Sequence, residues 1–96
     1  MAIVFDPAKD EVNIVKHGLS LSRAVDFEAV TFVPDRRRDY GEARLRAFGL
    51  LDGQTCCMVF TVRDGDFRVF SLRRARRKEY RRYVPDPQGL CRPQGR

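Results

Sequence analysis

The hydrophobic positions near the start of the chain recur with the period of a helix. These apolar residues are Ala8, Val12, Val15 and Leu19. Their spacing predicts an amphipathic helix whose apolar stripe faces the core. Asp6 suits the N-cap, Pro7 the first helical position, and Gly18 the left-handed residue that ends a helix. The polar side chains expected to face water or a partner are Lys9, Glu11, Asn13 and Lys16.

A second, shorter helix is predicted to begin at Ser20, and a strand follows it. The expected inner residues of this helix are Leu21, Ala24, Val25 and Phe27. The apolar run 29–33 predicts the strand, and Pro34 breaks it because proline cannot donate to a sheet ladder. The next loop carries the arginines 36–38 between two aspartates, which predicts mutual neutralisation on a solvated loop.

From residue 43 onward the apolar positions alternate, and β-branched and aromatic residues dominate. The predicted strands are 44–51, 54–63 and 66–72. The Asp-Gly pairs 52–53 and 64–65 separate them, and each pair is a strong hairpin signal, so an antiparallel meander is expected. A helix over 74–83 follows directly, and the prolines and glycines of 84–96 predict a flexible tail.

Together these elements predict an α+β fold. Two N-terminal helices and an antiparallel meander precede a basic C-terminal helix, and the helices cover one face of the sheet while the other stays open. A chain of 96 residues supports one small core. We therefore expect a single domain over residues 3–83.

The positive charge is concentrated at the end of this domain. Residues 71–83 hold seven basic and one acidic side chain, so the net charge of this segment is +6, the same as that of the whole chain. Four of the basic side chains recur at helical spacing: Arg74, Arg77, Lys78 and Arg81. Because like charges on adjacent turns repel, such a face favours a polyanion or an acidic partner. A merely solubilising helix is the alternative, since basic residues also suit a helix C-terminus.

Two arginines at strand ends are candidates for phosphate binding. Alternation along the last strand places Phe67, Val69, Ser71 and Arg73 on one face and Arg68, Phe70 and Leu72 on the other. Arg73 and Arg63 of the neighbouring strand are then expected to converge on one phosphate, which a planar guanidinium binds through two hydrogen bonds. Surface pairs of Arg63 with Asp66 and of Arg73 with Glu42 are the alternative.

Two further side chains are candidates for proton transfer. Glu42 stands just before a strand with Arg44 on the same side, where a carboxylate either serves as general base or orients the arginine. His17 is the single histidine, and its unperturbed pKa lies near neutrality. Its place at a helix C-terminus favours the charged form, so a capping role is the alternative to proton transfer.

No cofactor or metal chemistry is indicated by motif. The chain lacks a Gly-rich phosphate loop, a nucleophile elbow and an HExxH sequence. Cys56 and Cys57 are adjacent and Cys91 lies in the tail, so their spacing does not fit zinc, and the first two are expected to be buried, reduced thiols. Without a signal peptide or a long apolar segment, a soluble, cytoplasmic protein is expected.

Three separated motifs give the chain a family resemblance. "FDPAKDEVNIVKHGLSL" resembles an opening Trp/Phe-Asp-Pro-x-Lys, then Asn, then Lys-His-Gly-x-Ser-Phe. "GEAR" with Gly49 after it resembles Gly-Glu-x-Arg followed by a strand and a glycine. "VFTVR" and "RVFSLRRARRKEYRRY" resemble Val-x-x-Thr-x-Arg and Arg-Ile-Ile-Ser-Ala-Arg-x-Ala-x-x-x-Glu-x-x-x-Tyr. In these motifs the chain resembles BrnT toxins, the ribonuclease components of bacterial type II toxin-antitoxin pairs, with Leu72 and Leu21 in place of the usual alanine and phenylalanine.

The resemblance implies a RelE-like fold and RNA cleavage that inhibits translation. It also implies neutralisation by a BrnA-type antitoxin. The toxin-antitoxin complex then contacts DNA only through the antitoxin. The polar residues that match the family's motifs are His17, Glu42, Arg44, Arg63, Arg73, Arg77, Glu79 and Tyr83. We expect attack of a ribose 2′ hydroxyl on the adjacent phosphorus without a metal ion, with Arg63 and Arg73 stabilising charge and Glu42 or His17 moving protons. Glu79 and Tyr83 are expected to fix the last helix to the sheet.

A non-catalytic module is the rival hypothesis. In it the basic helix binds nucleic acid or an acidic partner, or a degenerate toxin is retained only for complex formation. A helix-turn-helix reader is disfavoured because the basic helix follows directly on a strand, without a bracing helix and turn.

Overall fold

The computed structural model describes residues 2–36 and 41–84, which form an α+β fold. The strands are β1 Ile3–Val4, β2 Glu28–Pro34, β3 Leu45–Leu51, β4 Gln54–Arg63 and β5 Asp66–Arg74. The helical elements are α1 Pro7–His17, a 3₁₀ helix Leu21–Asp26, and α2 Arg77–Tyr83. The predicted α+β class is confirmed, and the predicted bounds of β3, β4 and β5 agree with the structure to within two residues.

The five strands form one sheet in the order β1-β5-β4-β3-β2. The strands β3 to β5 are the antiparallel meander that the sequence predicts. Strand β2 extends it by pairing antiparallel with β3, and β1 pairs in parallel with β5. Asp52 and Asp64 have φ angles of 53° and 54° and each precedes a glycine with positive φ, as the two-residue hairpin turns require. The sequence did not reveal β1, because two residues are too short to show a period.

Both predicted ends of α1 are confirmed. The Asp6 carboxylate accepts a hydrogen bond of 2.8 Å from the Ala8 N–H. Gly18 has φ 72° and donates its N–H to the Ile14 carbonyl at 2.8 Å. Helix α1 is thus closed at each end by local hydrogen bonds.

The side-chain amide of Asn13 joins α1 to the sheet. Its nitrogen donates to the carbonyls of Leu72 and Leu19, each at 2.8 Å, and its oxygen accepts the Leu72 N–H at 3.2 Å. Asn13 therefore bonds both backbone groups of Leu72, as a neighbouring strand would. The residue is 4% exposed.

Asp10, one turn before Asn13, connects α1 to the 3₁₀ helix. Its carboxylate accepts the Leu21 N–H at 2.6 Å and the Ser20 hydroxyl at 3.0 Å. Since the first N–H groups of a helix have no partner within it, this carboxylate satisfies a donor and fixes where the 3₁₀ helix begins.

The predicted orientation of α1 is wrong. Asn13, expected to face outward, is the buried residue of the helix, whereas Ala8, Val12 and Val15 of the predicted core stripe are exposed. Leu19, beyond the helix, does pack against the core. Hydrogen bonds rather than apolar burial therefore decide which face of α1 turns inward.

The second helical segment is a 3₁₀ helix of six residues. Leu21 and Ala24 are buried and Phe27 packs against the core, as predicted. Val25, also expected inside, is 69% exposed. A 3₁₀ helix has three residues per turn, so Leu21 and Ala24 lie in register and Val25 falls on another side.

Helical elements cover both faces of the sheet. The core beneath the 3₁₀ helix comprises Leu21, Ala24, Ala47, Leu51, Cys56, Met58, Phe60, Val69 and Leu72. The core beneath α2 comprises Phe48, Cys57 and Ala75, with Val33, Tyr80, Tyr83 and Val84 packed against it. The expected open face is therefore wrong for the part that α2 covers, where the Phe48 and Tyr83 rings stack at 4.7 Å. Cys56 and Cys57 are buried on opposite faces of the sheet, as predicted.

Helix α2 begins three residues later than predicted. Ala75 still pairs with β4, because it donates its N–H to Thr55 O at 2.9 Å and accepts the Thr55 hydroxyl at 2.9 Å. Arg76 remains extended, with ψ 151°. Arg74 is consequently the last residue of β5 rather than part of the basic helix.

Two predictions fall largely outside the described residues. The arginine loop includes residues 37–40, and the predicted tail includes residues 85–96. Two residues at the start of this loop are described. Arg36 is exposed. Asp35 is buried, and the Asp35 N–H donates to the Arg44 carbonyl at 2.8 Å. Val84, placed in the tail by the sequence, packs against the core beneath α2.

Substituting Asn13→Ala should lower the free energy of unfolding by about 2–4 kcal/mol, since two buried backbone groups of Leu72 lose their partner. Val15→Ala is the matched control on the same helix, and because Val15 is 86% exposed its cost should stay within about 0.5 kcal/mol. Urea denaturation of both variants measures the difference. The reverse order of costs would mean that the apolar stripe of α1 faces the core.

Candidate active site

An irregularity in β5 shapes the candidate site. Val59 pairs with Ser71 and Phe60 with Val69, so Phe70 is an extra residue on β5, as in a β-bulge. The bulge overturns the predicted alternation. Val69 and Leu72, expected on opposite faces, both enter the core beneath the 3₁₀ helix, and Phe70 and Ser71 both line one cleft. Bulges re-aim side chains in this way and are common beside active sites.

This cleft lies between α1 and β5 and has a volume of about 340 Å³. Its lining residues are Ala8, Lys9, Val12, Asn13, Lys16, His17, Phe70 and Ser71. Two ammonium groups, an imidazole, a hydroxyl and an aromatic ring therefore surround a space large enough for part of a nucleotide. The Arg44 guanidinium lies 3.9 Å from the centre of the Phe70 ring, and Lys9 Nζ lies 5.8 Å from it.

His17 is half-buried in the cleft, and its pKa is lowered from the ordinary 6.5. Burial is the largest cause, and the positive charges of Lys16 and Arg73 add to it. The expectation that the imidazole is held in its charged form is therefore wrong, because burial and two neighbouring cations disfavour that form. At neutral pH the neutral imidazole predominates and can accept a proton.

Arg73, two residues beyond Ser71 on β5, is held in place by α2. Its two terminal nitrogens donate to the two oxygens of Glu79 at 2.9 and 2.7 Å. The hydrogen bond from Arg73 is the main cause that lowers the pKa of Glu79. A bidentate pair fixes the plane of the guanidinium as well as its position. The predicted anchoring role of Glu79 is confirmed, as is that of Tyr83 through its stacking on Phe48.

Glu42 lies in a second polar cluster with two arginines. Arg63 donates a hydrogen bond to Glu42, and Arg44 Nε lies 3.7 Å from the other carboxylate oxygen. The hydrogen bond from Arg63 is the largest cause that lowers the pKa of Glu42, and the charges of Arg44 and Arg68 act in the same direction. A carboxylate with a lowered pKa is a weak base, so this geometry suits orientation of the arginines better than proton abstraction.

Arg63 and Arg73 do not converge on one phosphate. Arg73 lies opposite Cys57, whereas Arg63 lies opposite Asp66. Cys57 and Arg63 are six residues apart along β4, which corresponds to roughly 20 Å at the rise of a strand. The predicted convergence is therefore wrong: the register of the hairpin places the two guanidinium groups at opposite ends of the sheet.

Basic side chains extend from Arg73 onto α2. Arg77, Lys78 and Arg81 are exposed on this helix, and Arg74 is exposed at the end of β5. The predicted basic face is therefore present on α2, except that Arg74 belongs to β5. A second cleft, of about 330 Å³, is lined by Arg76, Lys78, Glu79, Arg82 and Tyr83.

Sequence reasoning missed part of the cleft. Lys9 and Lys16 are seven residues apart, which places them on one side of α1, and this spacing was a usable signal. Phe70 enters the cleft because of the bulge, which no local sequence signal announces. Arg46 was also missed: its guanidinium lies 4.8 Å from the centre of the Tyr83 ring and lowers the pKa of that phenol chiefly through a hydrogen bond.

Among residues 2–36 and 41–84, no three His, Cys, Asp or Glu side chains are grouped as ligands for a metal ion. Within the same ranges, no helix combines the length and the apolar character needed to cross a membrane.

The chain is similar to proteins of known family. Residues 5–79 match the family described as the ribonuclease toxin, BrnT, of type II toxin-antitoxin systems. The 1.1 Å crystal structure of the Brucella abortus ribonuclease toxin BrnT is similar, with a TM-score of 0.58 and 25% sequence identity, covering 80% of this chain and 99% of that chain. No curated protein sequence matches the chain. Because the family match spans most of the sequence, the chain belongs to the BrnT family of type II ribonuclease toxins.

Proposed function

We propose that this chain cleaves RNA without a metal ion, in the cleft between α1 and β5, and so inhibits translation until a BrnA-type antitoxin neutralises it. The observation that carries the proposal is the cleft itself. It brings an imidazole of lowered pKa together with two lysines, beside an arginine whose orientation is fixed. These are the groups that phosphodiester cleavage by an internal nucleophile requires.

His17 acts as the general base in this reaction. Its neutral imidazole takes the proton of a ribose 2′ hydroxyl, whose oxygen forms a bond to the adjacent phosphorus as the bond from phosphorus to the 5′ oxygen breaks. The leaving oxygen takes a proton from Lys9 or Lys16, the two ammonium groups of the cleft. The products are a 2′,3′-cyclic phosphate and a 5′ hydroxyl. Glu42 is the weaker candidate for base, because hydrogen bonding from Arg63 holds its pKa low.

Arg73 stabilises the charge that develops on the non-bridging phosphate oxygens. Its influence on the pKa of His17 puts it within electrostatic range of the proposed base. Glu79 keeps the guanidinium oriented before RNA arrives, so little reorganisation is needed in the transition state. Arg44, over the Phe70 ring, faces the same cleft, whereas Glu42 and Arg63 hold Arg44 in place or contact RNA farther along the sheet.

The basic side chains of α2 bind the RNA backbone next to the cleft. Glu79 belongs to α2 and contacts Arg73, so RNA that leaves the cleft past Arg73 meets the positive charges of Arg77, Lys78 and Arg81. Arg74 at the end of β5 adds to this surface. The antitoxin, rather than this chain, makes any contact with DNA.

Purified chain with a short RNA in excess EDTA tests catalysis and metal independence together. His17→Gln and Arg73→Ala should each lower the cleavage rate at saturating RNA by about 10²-fold or more, since they remove the base and the charge stabilisation. Arg63→Gln is the matched control outside the cleft, and its rate should fall less than tenfold. RNA that is bound but left intact by the wild type would favour the non-catalytic module, and cleavage that EDTA abolishes would reject metal independence.

The pH dependence of cleavage should follow the lowered pKa of His17. A general base works when deprotonated, so the single-turnover rate should rise with pH and reach its plateau with a midpoint below the ordinary 6.5. Lys16→Gln removes one of the charges that lower this pKa and should move the midpoint to higher pH. A midpoint that stays unchanged in His17→Gln would assign the base to another residue.

Salt dependence of RNA binding tests the role of α2. Replacing Arg77 and Arg81 together by glutamine should reduce the slope of log affinity against log salt by about 1.4, the value for two phosphate contacts on a single strand. Arg23→Gln is the control, because Arg23 lies on the 3₁₀ helix and already pairs with Asp52 at 2.8 Å. Equal slopes for wild type and the double variant, measured by fluorescence anisotropy, would exclude α2 from the RNA interface.

A further inference from the structure

Helix α1 is amphipathic in the reverse of the usual sense. Its inward side is polar, since Asn13 is buried and Asp10 and His17 are half-buried. Its outward side carries three apolar residues at helical spacing, which we call the α1 stripe: Ala8, Val12 and Val15. Val12 is 56% and Val15 is 86% exposed. The helix therefore presents to solvent the side chains that a helix of an isolated domain normally buries.

The fold does not depend on the α1 stripe. Hydrogen bonds of Asn13 to Leu72 and of Asp10 to Leu21 already attach the helix to the sheet and to the 3₁₀ helix. Contiguous exposed apolar surface is uncommon on monomeric proteins and marks contact sites for partners. Single exposed valines need no explanation, but an unbroken stripe along one helix does.

The α1 stripe adjoins the cleft of the proposed active site. Ala8 and Val12 contribute to the lining of that cleft, and Lys9 and Lys16 border the stripe on the cleft side. A partner that covers the α1 stripe therefore contacts two ammonium groups at the edge of the stripe. This arrangement is complementary to a segment that carries apolar side chains and at least one carboxylate.

We propose that the α1 stripe is the docking surface for the antitoxin, through an amphipathic segment whose apolar side chains cover Val12 and Val15 and whose carboxylate lies between Lys9 and Lys16. Bound there, the segment closes the cleft to RNA. This inference rests on the proposed function, which supplies the cleft and the antitoxin. Inhibition is then direct, because the carboxylate takes the position of a substrate phosphate.

A protein segment fits the α1 stripe better than RNA does. Nucleic acids are bound by cationic side chains and by aromatic rings on which bases stack. Valine and alanine methyl groups offer neither, whereas they suit the apolar face of a second amphipathic element. RNA is accommodated by the neighbouring surface, where Phe70, the lysines and Arg73 lie.

Binding of the antitoxin encoded by the adjacent reading frame, measured by calorimetry, tests the inference. Val15→Glu should weaken binding about tenfold or more, because it removes apolar contact and repels a carboxylate. Val25→Glu is the matched control: Val25 is an equally apolar side chain, 69% exposed on the 3₁₀ helix, and its substitution should leave the affinity within about twofold. Without antitoxin, both variants should cleave RNA at the wild-type rate, since neither residue lines the cleft.

The other outcomes separate the alternatives. Equal antitoxin affinity of Val15→Glu and wild type overturns the inference, as does a wild-type chain that binds no such protein. Reduced RNA affinity of Val15→Glu with unchanged antitoxin affinity would assign the α1 stripe to RNA. A wild-type dimer that sediments as a monomer after the substitution would assign it to a second copy of this chain. If Val15→Glu weakens antitoxin binding but the wild-type chain cleaves no RNA, the docking surface is supported and the ribonuclease proposal is rejected.

Discussion

The hydrogen bonds of the Asn13 side chain to Leu72 and Leu19 determine the arrangement on which the rest of the structure depends. They satisfy both backbone groups of one residue of β5 and so place α1 along that strand at a fixed height and rotation. Apolar packing tolerates sliding and rotation, whereas three directed hydrogen bonds in a buried site do not. This contact therefore sets the width of the cleft between α1 and β5.

The position of His17 follows from the same contact. Asn13 and His17 are one turn apart on α1, so the rotation that points the amide at β5 also turns the imidazole towards the sheet. The bulge at Phe70 supplies the opposite wall, where Phe70 and Ser71 both reach the cleft. Arg73, two residues beyond Ser71, is held by Glu79 of α2. A polar contact and a sheet irregularity thus bring together groups that lie far apart in sequence.

The boundaries of α1 and of the strands β3 to β5 could be predicted from sequence because local chemistry determines them. Asp6 and Gly18 mark the ends of α1, and the two Asp-Gly pairs set the hairpins. The orientation of α1 could not be predicted, because its apolar residues obey the helical period and only the distant Leu72 backbone reveals that Asn13 points inward. The separation of Arg63 and Arg73 required the register of β4 and β5, and the pairing of Ala75 with Thr55 decided where α2 begins. These are tertiary contacts that no local pattern contains.

The wrong prediction for α1 is informative about how a small toxin can serve two partners. A chain of 96 residues has little surface to spare, and a helix that is anchored by apolar burial has only its polar side left for contacts. Anchoring α1 through Asn13 and Asp10 leaves the apolar stripe and the two lysines of the same helix available at the mouth of the cleft. One helix can then carry the proposed base, His17, on its inner side and bind the proposed inhibitor on its outer side, so that a bound inhibitor excludes RNA from the cleft.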